Sequence, residues 1–437
     1  MDGERLKKTF VSIVLDIALI LSVFLGCGDN SPQPVTDEQI VEDTMDSKNM
    51  EEAEIIRVAT WYDDSYTSNL RTYLVHRFPY YKFEFVYIDK AHYESIIDAQ
   101  LSFKGAPDII YVNQNMARKN AKNGYIIPLT AYCSNFDTEA LDAFWYDKDT
   151  YAVPGTTCFE CMYINKDLFD KYGMKVPKNT QEFIAMCDFM IRGKRMKALS
   201  AGFMDYQTVS NSAQSVLQAN YFGTEYGSGF GARLNYSRSV FYNDLFEPLK
   251  DWEQMIKHGI ITADMYNMDK QAAIKEFVSG ESFMLVAGPE DYNRIRVANP
   301  DMELGTLPMG WGRYGPLIIG GCNLGFAVNA NAMNLEGAKE VVAALSNNEG
   351  QFAIWKDRVG SRTYLRGTNF DNPEAFEGIE DAFDTNQVFL PVLEWGEDGP
   401  GMNVIFGKEL QQVIVGKKPL NMALMETDIQ INAMKNR

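Results

Sequence analysis

Histidine is scarce in this 437-residue chain, which contains only His76, His92 and His258. Catalytic triads and most zinc sites depend on histidine side chains, so three separated histidines provide little material for either. The sequence also lacks the phosphate-loop, H-E-x-x-H and G-x-S-x-G motifs. We therefore predict a protein that is not an enzyme and that has no cofactor and no metal site. The many Asp and Glu residues leave one enzymatic alternative open, a carboxylate pair of the glycosidase type.

Positive charge is also in short supply. The chain has 41 Lys and Arg against 59 Asp and Glu, which gives a formal net charge of -18. Nucleic acids and anionic lipid surfaces attract basic patches, so we predict no nucleic-acid partner and no polybasic membrane attachment. Hydrophobic residues make up 46% and aromatic residues 13% of the chain, which is typical of globular proteins. At this length we expect two or three domains.

The chain has six cysteines, and the five that follow Cys27 are odd in number. A fully paired disulfide framework is therefore excluded. Cys158 and Cys161 form a C-x-x-C, but their flanking residues favour extended chain, whereas a redox motif opens a helix. Thiols three residues apart on a strand point to opposite faces. We predict buried free thiols, and the sequence leaves open whether this pair forms a disulfide.

Residues 1–26 have the pattern of a secretory signal, with basic residues before an apolar stretch that ends at Gly26. Cys27 follows directly and resembles the lipidated cysteine of bacterial lipoproteins. Residues 27–54 are acidic and polar, which predicts a disordered tether. We expect a lipid anchor on the extracytoplasmic face of a bacterial cell membrane. An uncleaved signal anchor, or ordinary cleavage near Gly26, remains the alternative.

Three β-rich runs, Ile55–Thr60, Lys82–Ile88 and Pro107–Val112, alternate with segments of helical periodicity. This succession predicts βαβ units with a parallel sheet. Ligands bind outside the carboxyl ends of the strands in such sheets. Polar and aromatic residues that follow the first and third runs are therefore candidate ligand contacts: Trp61, Tyr62, Asp64, Asn113 and Gln114.

The second half of the chain has weaker patterns. Residues 207–230 are rich in Asn, Ser, Gln and Gly, a composition that predicts a loop. Leu317–Val328 is an apolar, glycine-rich run that predicts a pair of strands, and Val404–Val415 and Asn421–Ala433 predict the last two helices.

Four stretches, in order along the chain, resemble the extracellular solute-binding proteins of ABC importers, in particular the carbohydrate-binding family 1 group that includes maltodextrin-binding proteins. Phe103–Ile110 resembles the family's G-x-x-P-D strand. Tyr151–Pro154 followed by Tyr163–Phe169 resembles its Y-x-x-P and Y-N-K-x-x-F crossover. The last two stretches are Phe277–Met284 with Gly288-Pro289, and Gly320-Gly321 with Ala338–Glu340.

The resemblance implies an α/β protein with the two-lobe, type II periplasmic-binding-protein-like fold. Each lobe would be a mostly parallel sheet flanked by helices, with the ligand in the cleft between the lobes. The first lobe would comprise residues 55–156 plus 322–368, and the second residues 157–321 plus 369–437. Hinge strands would lie near Thr157–Cys161 and Gly320–Asn323.

The resemblance also implies a function. A monomeric protein would capture a sugar or oligosaccharide by lobe closure and deliver it to the permease subunits of an ABC importer. It adds candidate ligand residues at the hinges, Thr157 and Asn323, and in the second lobe, Glu290 and Trp395. Glu290 stands where the family pattern has an aromatic residue, so a cationic or peptide-like ligand is an alternative. Two further alternatives to a sugar-binding protein are an exported carbohydrate-active enzyme and a structural or adhesive surface lipoprotein.

Overall fold

A computed structural model of the protein describes residues 53–236 and 240–435. The predicted signal peptide (1–26), the lipidated Cys27 and the tether up to residue 52 lie outside the described residues. The strands are β1 (Glu54–Thr60), β2 (Tyr81–Tyr87), β3 (Ile109–Val112), β4 (Trp145–Tyr146), β5 (Asp149–Thr150), β6 (Val153–Pro154), β7 (Cys158–Asn165), β8 (Lys197–Ala201), β9 (Ser282–Ala287), β10 (Leu304–Leu307), β11 (Gly310–Gly312), β12 (Gly315–Gly321), β13 (Gly325–Val328) and β14 (Val388–Phe389).

The helices alternate with these strands. They are α1 (Ser68–Arg77), α2 (Lys90–Ser102), α3 (Gln114–Lys122), α4 (Thr138–Ala143), α5 (Lys166–Tyr172), α6 (Thr180–Asp188), α7 (Tyr206–Leu217), α8 (Phe230–Asn235), α9 (Phe241–Leu245), α10 (Lys250–Lys257), α11 (Lys270–Val278), α12 (Tyr292–Ala298), α13 (Leu335–Leu345), α14 (Asn348–Lys356), α15 (Glu377–Asp384), α16 (Gly399–Ile414) and α17 (Leu420–Lys435). Within the described ranges, none of them has the length and apolar character needed to span a bilayer.

The first sheet has the strand order β2-β1-β3-β13-β6. Strand β1 runs parallel to both β2 and β3, as the βαβ pattern predicts. Strand β13 runs antiparallel to β3, with Gly325 opposite Val112. Strand β3 is buried along its whole length, because helices cover both faces of the sheet. We refer to this sheet and the hydrophobic cluster packed on it as the first lobe.

The second sheet has the order β11-β12-β7-β9-β8, with β10 also paired to β7 and β14 to β12. Only β8–β9 and β12–β14 are parallel pairs, so the predicted mostly parallel sheet is wrong for this lobe. Strand β7 brings the chain in from the first sheet and β12 takes it back, so these two neighbours must run in opposite directions. We refer to this sheet and the two clusters packed on it as the second lobe.

The chain passes between the sheets side by side at Gly155–Thr157 and at Cys322–Leu324, and returns a third time after α14. Thr157 donates from its backbone N–H and from Oγ1 to the carbonyl of Arg362, at 2.8 Å and 3.0 Å. Gly320 lies so close to β7 that a Cβ on it would be 2.3 Å from the carbonyl oxygen of Cys158. The crossings overlap the predicted hinges, whose motion remains a prediction.

The C-x-x-C lies on strand β7, in extended chain as its flanks predicted. Cys158 and Cys161 are both free thiols. Cys161 is fully buried, and Cys158 is partly exposed where the strand meets the space between the lobes.

Helix α7 occupies the first half of residues 207–230, for which a loop was predicted, and that prediction is wrong here. Its residues from Thr208 to Leu217 are all buried. Ser210 donates to Asn403 Oδ1 at 2.6 Å, and Trp252 Nε1 donates to Ser212 at 3.0 Å. Ser and Asn favour loops because they compete for backbone hydrogen bonds. Here neighbouring helices supply their partners, so the polar helix is stable in the interior.

Candidate functional site

A cleft of about 470 Å³ lies between the two lobes, in the size range of small-molecule sites. Its walls carry aromatic rings, amides and charged groups from both sheets. The first lobe contributes Trp61, Tyr62, Lys90, Tyr93, Glu94, Asn113, Asn115 and Met116; the second contributes Glu160, Tyr206, Gln207, Asn211, Glu290, Leu390, Val392, Leu393 and Asn403; the crossings contribute Cys158, Gly320, Asn323 and Arg358.

Trp61 and Tyr62 form an aromatic surface at the carboxyl end of β1. The N–H of Tyr62 donates to Thr60 Oγ1 at 3.0 Å, which turns the chain out of the strand. The Trp61 ring packs edge-on against Tyr93 and Tyr111, with ring centroids 5.0 Å and 5.7 Å away. The Tyr93 hydroxyl in turn donates to the carbonyls of Ala59 and Tyr111. Trp61 is therefore a rigid platform, fixed to two strands.

Three amide side chains stand at the carboxyl end of β3 and at the second crossing. Asn113 lines the cleft and its Oδ1 accepts from the N–H of Met116 at 2.8 Å, so it also caps α3. Asn323 lines the cleft, and its Oδ1 accepts from the N–H of Gln114 at 3.2 Å. Gln114 is buried, and its amide donates to the carbonyl of Cys322 at 2.7 Å. Gln114 thus fixes the crossing rather than lining the cleft.

Glu160 on β7 faces these groups from the second lobe. It accepts hydrogen bonds from Thr208 Oγ1 and Asn211 Nδ2, each at 3.1 Å. Burial raises the pKa of Glu160 to about 7, against the opposing effect of Lys270. Near neutral pH this carboxyl is therefore divided between a form that only accepts hydrogen bonds and a form that also donates one.

A compensated charge network borders the cleft, whose lining includes Tyr62, Glu290 and Arg358. Arg358 donates to the Tyr62 hydroxyl at 2.8 Å and pairs with Glu290 at 3.4 Å. Lys270 lies 3.1 Å from both Glu290 and Asp291. Burial by itself would raise the pKa of Glu290, but Lys270 and Arg358 outweigh it and lower that pKa to about 2. Glu290 is thus a charged carboxylate that already has two cationic partners.

Other bonds link the two lobes beside this network. Arg294 of α12 pairs with Asp63 at 3.1 Å, and its guanidinium lies 3.7 Å from the centroid of the Tyr66 ring. The Tyr66 hydroxyl donates to Asp291 at 3.1 Å. The lobes are therefore in direct contact on this side of the cleft.

Lys90 is exposed on the first-lobe wall of the cleft. Desolvation lowers the pKa of Lys90, but Asp205 in the second lobe, together with Tyr62 and Glu290, outweighs it, so the net pKa is raised. Asp205 is also the N-cap of α7, since its side chain accepts from the N–H of Gln207. Opposite charges thus attract across the cleft.

The structure brings together five of the nine residues predicted from the sequence as ligand contacts, namely Trp61, Tyr62, Asn113, Glu290 and Asn323. Asp64 is 83% exposed and pairs with Arg71 outside the cleft. Thr157 is buried and bonded to the third crossing. Trp395 is 1% exposed and lies in the core of the second lobe. Gln114, as described above, is the fourth residue outside the cleft.

Five further cleft residues were not predicted from the sequence: Lys90, Glu160, Tyr206, Asn211 and Arg358. A signal existed for two of them. Lys90 follows the end of β2, the middle of the three predicted strands, and Glu160 lies within the predicted hinge range. Tyr206 and Asn211 belong to the helix predicted as a loop, and Arg358 reaches the cleft only through the third crossing.

The sequence has relatives among characterised proteins. The model of the bacterial extracellular solute-binding protein family matches residues 77–362, more than half of the chain. A multiple sugar-binding protein of Streptococcus mutans is 23% identical over 277 residues, which are 61% of this chain and 64% of that relative. The alignment thus covers a little under two thirds of the relative's length.

Solved structures of the same architecture cover most of the chain. RafE of Streptococcus pneumoniae, in complex with raffinose, superposes with a TM-score of 0.75 at 18% identity and covers 87% of this chain and 99% of its own. Maltose-bound MalE3 of T. maritima gives a TM-score of 0.71 at 14% identity, covering 87% of this chain and 100% of its own. These likenesses confirm the two-lobe α/β fold. With the family match over residues 77–362, they show that this chain belongs to the bacterial extracellular solute-binding protein family.

Proposed function

We propose that the protein captures a neutral sugar or oligosaccharide in the cleft and delivers it to an ABC importer. The observation that carries this proposal is the composition of the cleft, in which the rigid Trp61 platform faces amides and a carboxyl across the space between the lobes. A sugar ring has an apolar face that stacks on an aromatic ring, and hydroxyls that exchange hydrogen bonds with amides and carboxyls.

The charges in the cleft favour a neutral ligand over a cationic one. Glu290 is the residue that raised the cationic alternative, and it already pairs with Arg358 and Lys270. A cationic ligand would have to displace one of these partners from a largely buried carboxylate, which is costly. A neutral ligand leaves these ion pairs intact and interacts with each pair as a fixed dipole.

Similar proteins support the same ligand class. The Streptococcus mutans relative is named for binding multiple sugars, and the neighbouring structures hold raffinose and maltose. A sugar-transport protein of Bacillus licheniformis with a TM-score of 0.69 holds stachyose. Oligosaccharides of this size are therefore the first ligands to test. As a binding protein rather than an enzyme, the chain would release its ligand unchanged.

The mechanism that we propose is closure of the lobes on the ligand. The first lobe would be residues 55–156 plus 322–368 and the second residues 157–321 plus 369–437, with the three crossings as the hinge. A ligand that contacts Trp61 in one lobe and Asn211 in the other binds the closed form better and shifts the population toward it. Asp63–Arg294 and Tyr66–Asp291 add bonds between the lobes that support the closed form.

We further propose that Cys27 is lipidated and that the monomeric protein is held on the extracytoplasmic face of the cell membrane. The support is the sequence, in which basic and apolar residues precede Cys27 and an acidic segment follows it. The test is metabolic labelling with a fatty acid. The wild-type protein should incorporate label and sediment with membranes, and Cys27→Ala should do neither. Equal labelling of the two proteins would contradict lipidation.

The test of ligand class is thermal unfolding of the mature protein with raffinose, stachyose and maltose, alongside spermidine and a dipeptide. A ligand present at 100 times its dissociation constant adds about 2.7 kcal/mol to the free energy of unfolding. We expect stabilisation by at least one sugar and none by spermidine. Stabilisation by spermidine alone would contradict the sugar assignment.

The test of the site is Trp61→Ala, with Trp145→Ala as the matched control. Trp145 is also in the first lobe, but its side chain is 43% exposed and it does not line the cleft. Loss of one aromatic stacking surface should weaken sugar binding by about two- to tenfold, since such contacts contribute roughly 0.5–1.5 kcal/mol. Isothermal titration of both variants measures this. Equal affinities for the two variants would remove Trp61 from the site.

A further inference from the structure

The second lobe contains a cavity of about 490 Å³ that is separate from the cleft, which we call the outer cavity. Its walls are residues 218–231, which begin with a π-helical turn after α7, the β11–β12 hairpin, and residues 386–395. All of its lining residues belong to the second lobe. A ligand in it would therefore contact one lobe only, unlike a ligand in the cleft.

Trp395 lines the outer cavity, although its side chain is 1% exposed. Phe241 and Phe406 hold its ring nearly edge-on, with centroids 5.3 Å and 6.0 Å away. Among the described residues, its indole N–H has no acceptor, and it is not one of the fully enclosed unpaired atoms. This N–H is therefore not sealed from solvent, and the outer cavity is the open space that its residue lines. A nearly buried donor of this kind is satisfied by a ligand oxygen or by water.

The rim of the outer cavity carries complementary groups. Tyr314, at the tip of the hairpin, is 69% exposed and its ring centroid lies 5.7 Å from the Arg313 guanidinium. Asn386 and Gln387 provide amides, and Glu394 provides a carboxyl. The lining contains one guanidinium, Arg313, and two carboxyl groups, Glu225 and Glu394, which does not favour an anion. Aromatic surfaces among amides and hydroxyls are the chemistry that binds neutral polyhydroxylated rings.

The segment Leu390–Trp395 divides the outer cavity from the cleft. Val392 and Leu393 line the cleft, whereas Pro391, Glu394 and Trp395 line the outer cavity. Helix α8 packs directly on this segment, because a Cβ on Gly231 would lie 2.1 Å from the carbonyl oxygen of Glu394. Leu390 lines both spaces, so this packed segment is the wall between them.

We propose that the outer cavity is a second ligand site, which binds a neutral polyhydroxylated molecule of the sugar class. The Trp395 N–H donates to a ligand hydroxyl oxygen at the floor of the cavity, and the Tyr314 ring covers the apolar face of the ligand from the rim. This site requires neither lobe closure nor any residue of the first lobe.

The experiment follows the indole N–H signals of protein labelled with 15N-tryptophan, which has six such groups. The Trp395 signal is the one absent from Trp395→Phe. Raffinose, stachyose and maltose are titrated into the Trp61→Ala protein, in which the cleft is weakened. The Trp395 signal should shift saturably with at least one sugar. No shift up to the solubility limit of all three sugars would overturn the proposal.

Further variants separate the two sites and replace Trp395→Phe if it fails to fold. Tyr314→Ala should weaken the outer site by about two- to tenfold, on the scale of one aromatic contact. Ala219→Phe, which fills the cavity from its half-buried wall, should abolish the site. Tyr80→Ala, at an exposed tyrosine of the first lobe, is the control and should change nothing.

Isothermal titration of the wild-type protein should give two binding sites, and titration of Ala219→Phe one. A single site in both proteins, or a second site that Trp61→Ala removes and Ala219→Phe does not, would overturn the proposal. Spermidine and ATP serve as charged probes. A shift of the Trp395 signal by either of them, without a shift by any sugar, would refute the assigned ligand class.

Discussion

Glu160 should make the stability of the protein depend on pH in a direction opposite to that of most carboxylates. It lies on β7 in the wall of the cleft, where burial raises its pKa from 4.5 to about 7. The folded state thus holds the proton more tightly than the unfolded state. The resulting stabilisation is complete below about pH 4.5 and is lost as the pH rises through about 7.

The size of the effect follows from the shift. A difference of one pKa unit is equivalent to about 1.4 kcal/mol, so a rise from 4.5 to about 7 sets an upper limit of about 3 kcal/mol. Water reaches Glu160 through the cleft, and Thr208 and Asn211 donate to its ionised form. We therefore expect about 1–2 kcal/mol to be lost between about pH 5 and about pH 8.

Urea unfolding across this pH range, for the wild-type protein and Glu160→Gln, measures the effect. The glutamine keeps the shape and accepts from the same donors but does not titrate, so the difference between the two proteins isolates Glu160. Glu94→Gln is the control, because Glu94 also lines the cleft but its side chain is 43% exposed. If wild type and Glu160→Gln show parallel pH profiles, burial does not raise the pKa of Glu160 in the folded protein.

Three more substitutions test the contacts between and behind the lobes. Arg294→Ala removes the partly exposed pair with Asp63, so small-angle scattering should show a larger radius of gyration without ligand. Titration should show an affinity up to about fivefold weaker, since such pairs contribute at most about 1 kcal/mol. An unchanged radius of gyration would count against a role of this pair in closure. Arg358→Met deprives Glu290 of a buried partner and should lower the free energy of unfolding in urea by about 3 kcal/mol. The double variant Arg358→Met, Glu290→Gln should recover part of this loss, and strictly additive losses would contradict the pairing. Gly320→Ala places a methyl group against the Cys158 carbonyl, so it should lower the free energy of unfolding by roughly 1–3 kcal/mol and lower the melting temperature. A melting temperature equal to that of wild type would show that β12 can shift to accommodate the methyl group.

The first lobe was more predictable than the second because its strands carry their own signals. The runs that became β1 and β3 are apolar and end in polar or aromatic residues, so the rule for parallel sheets led directly to Trp61 and Asn113. Glu290 and Asn323 came from the resemblance to the family. The sequence does not show, however, that the negative charge of Glu290 is paired with two cations, because Arg358 and Lys270 come from distant parts of the chain.

Helix α7 shows the limit of composition. Its Ser, Asn and Gln residues favour a loop unless partners in the interior satisfy them, and those partners are supplied by α10 and α16. Such partners exist only after the lobe has assembled, so no local pattern reveals them. The same limit applies to Trp395. Its apolar ring gives no indication from sequence whether it lines the cleft, the outer cavity or the core.

The position of β13 has a consequence for how the chain matures. This strand lies between β3 and β6 in the first sheet, with Val328 opposite Ile109, yet it follows nearly all of the second lobe in the sequence. Because the chain is synthesised from its N-terminus, the first sheet remains incomplete, with an unpaired edge at β3, until residue 328 has been synthesised. Pairings of such long sequence separation form slowly, and unpaired edges promote association between chains. Completion of the first lobe is therefore a late event in folding, and the open edge of β3 is where assistance from a chaperone would have most effect.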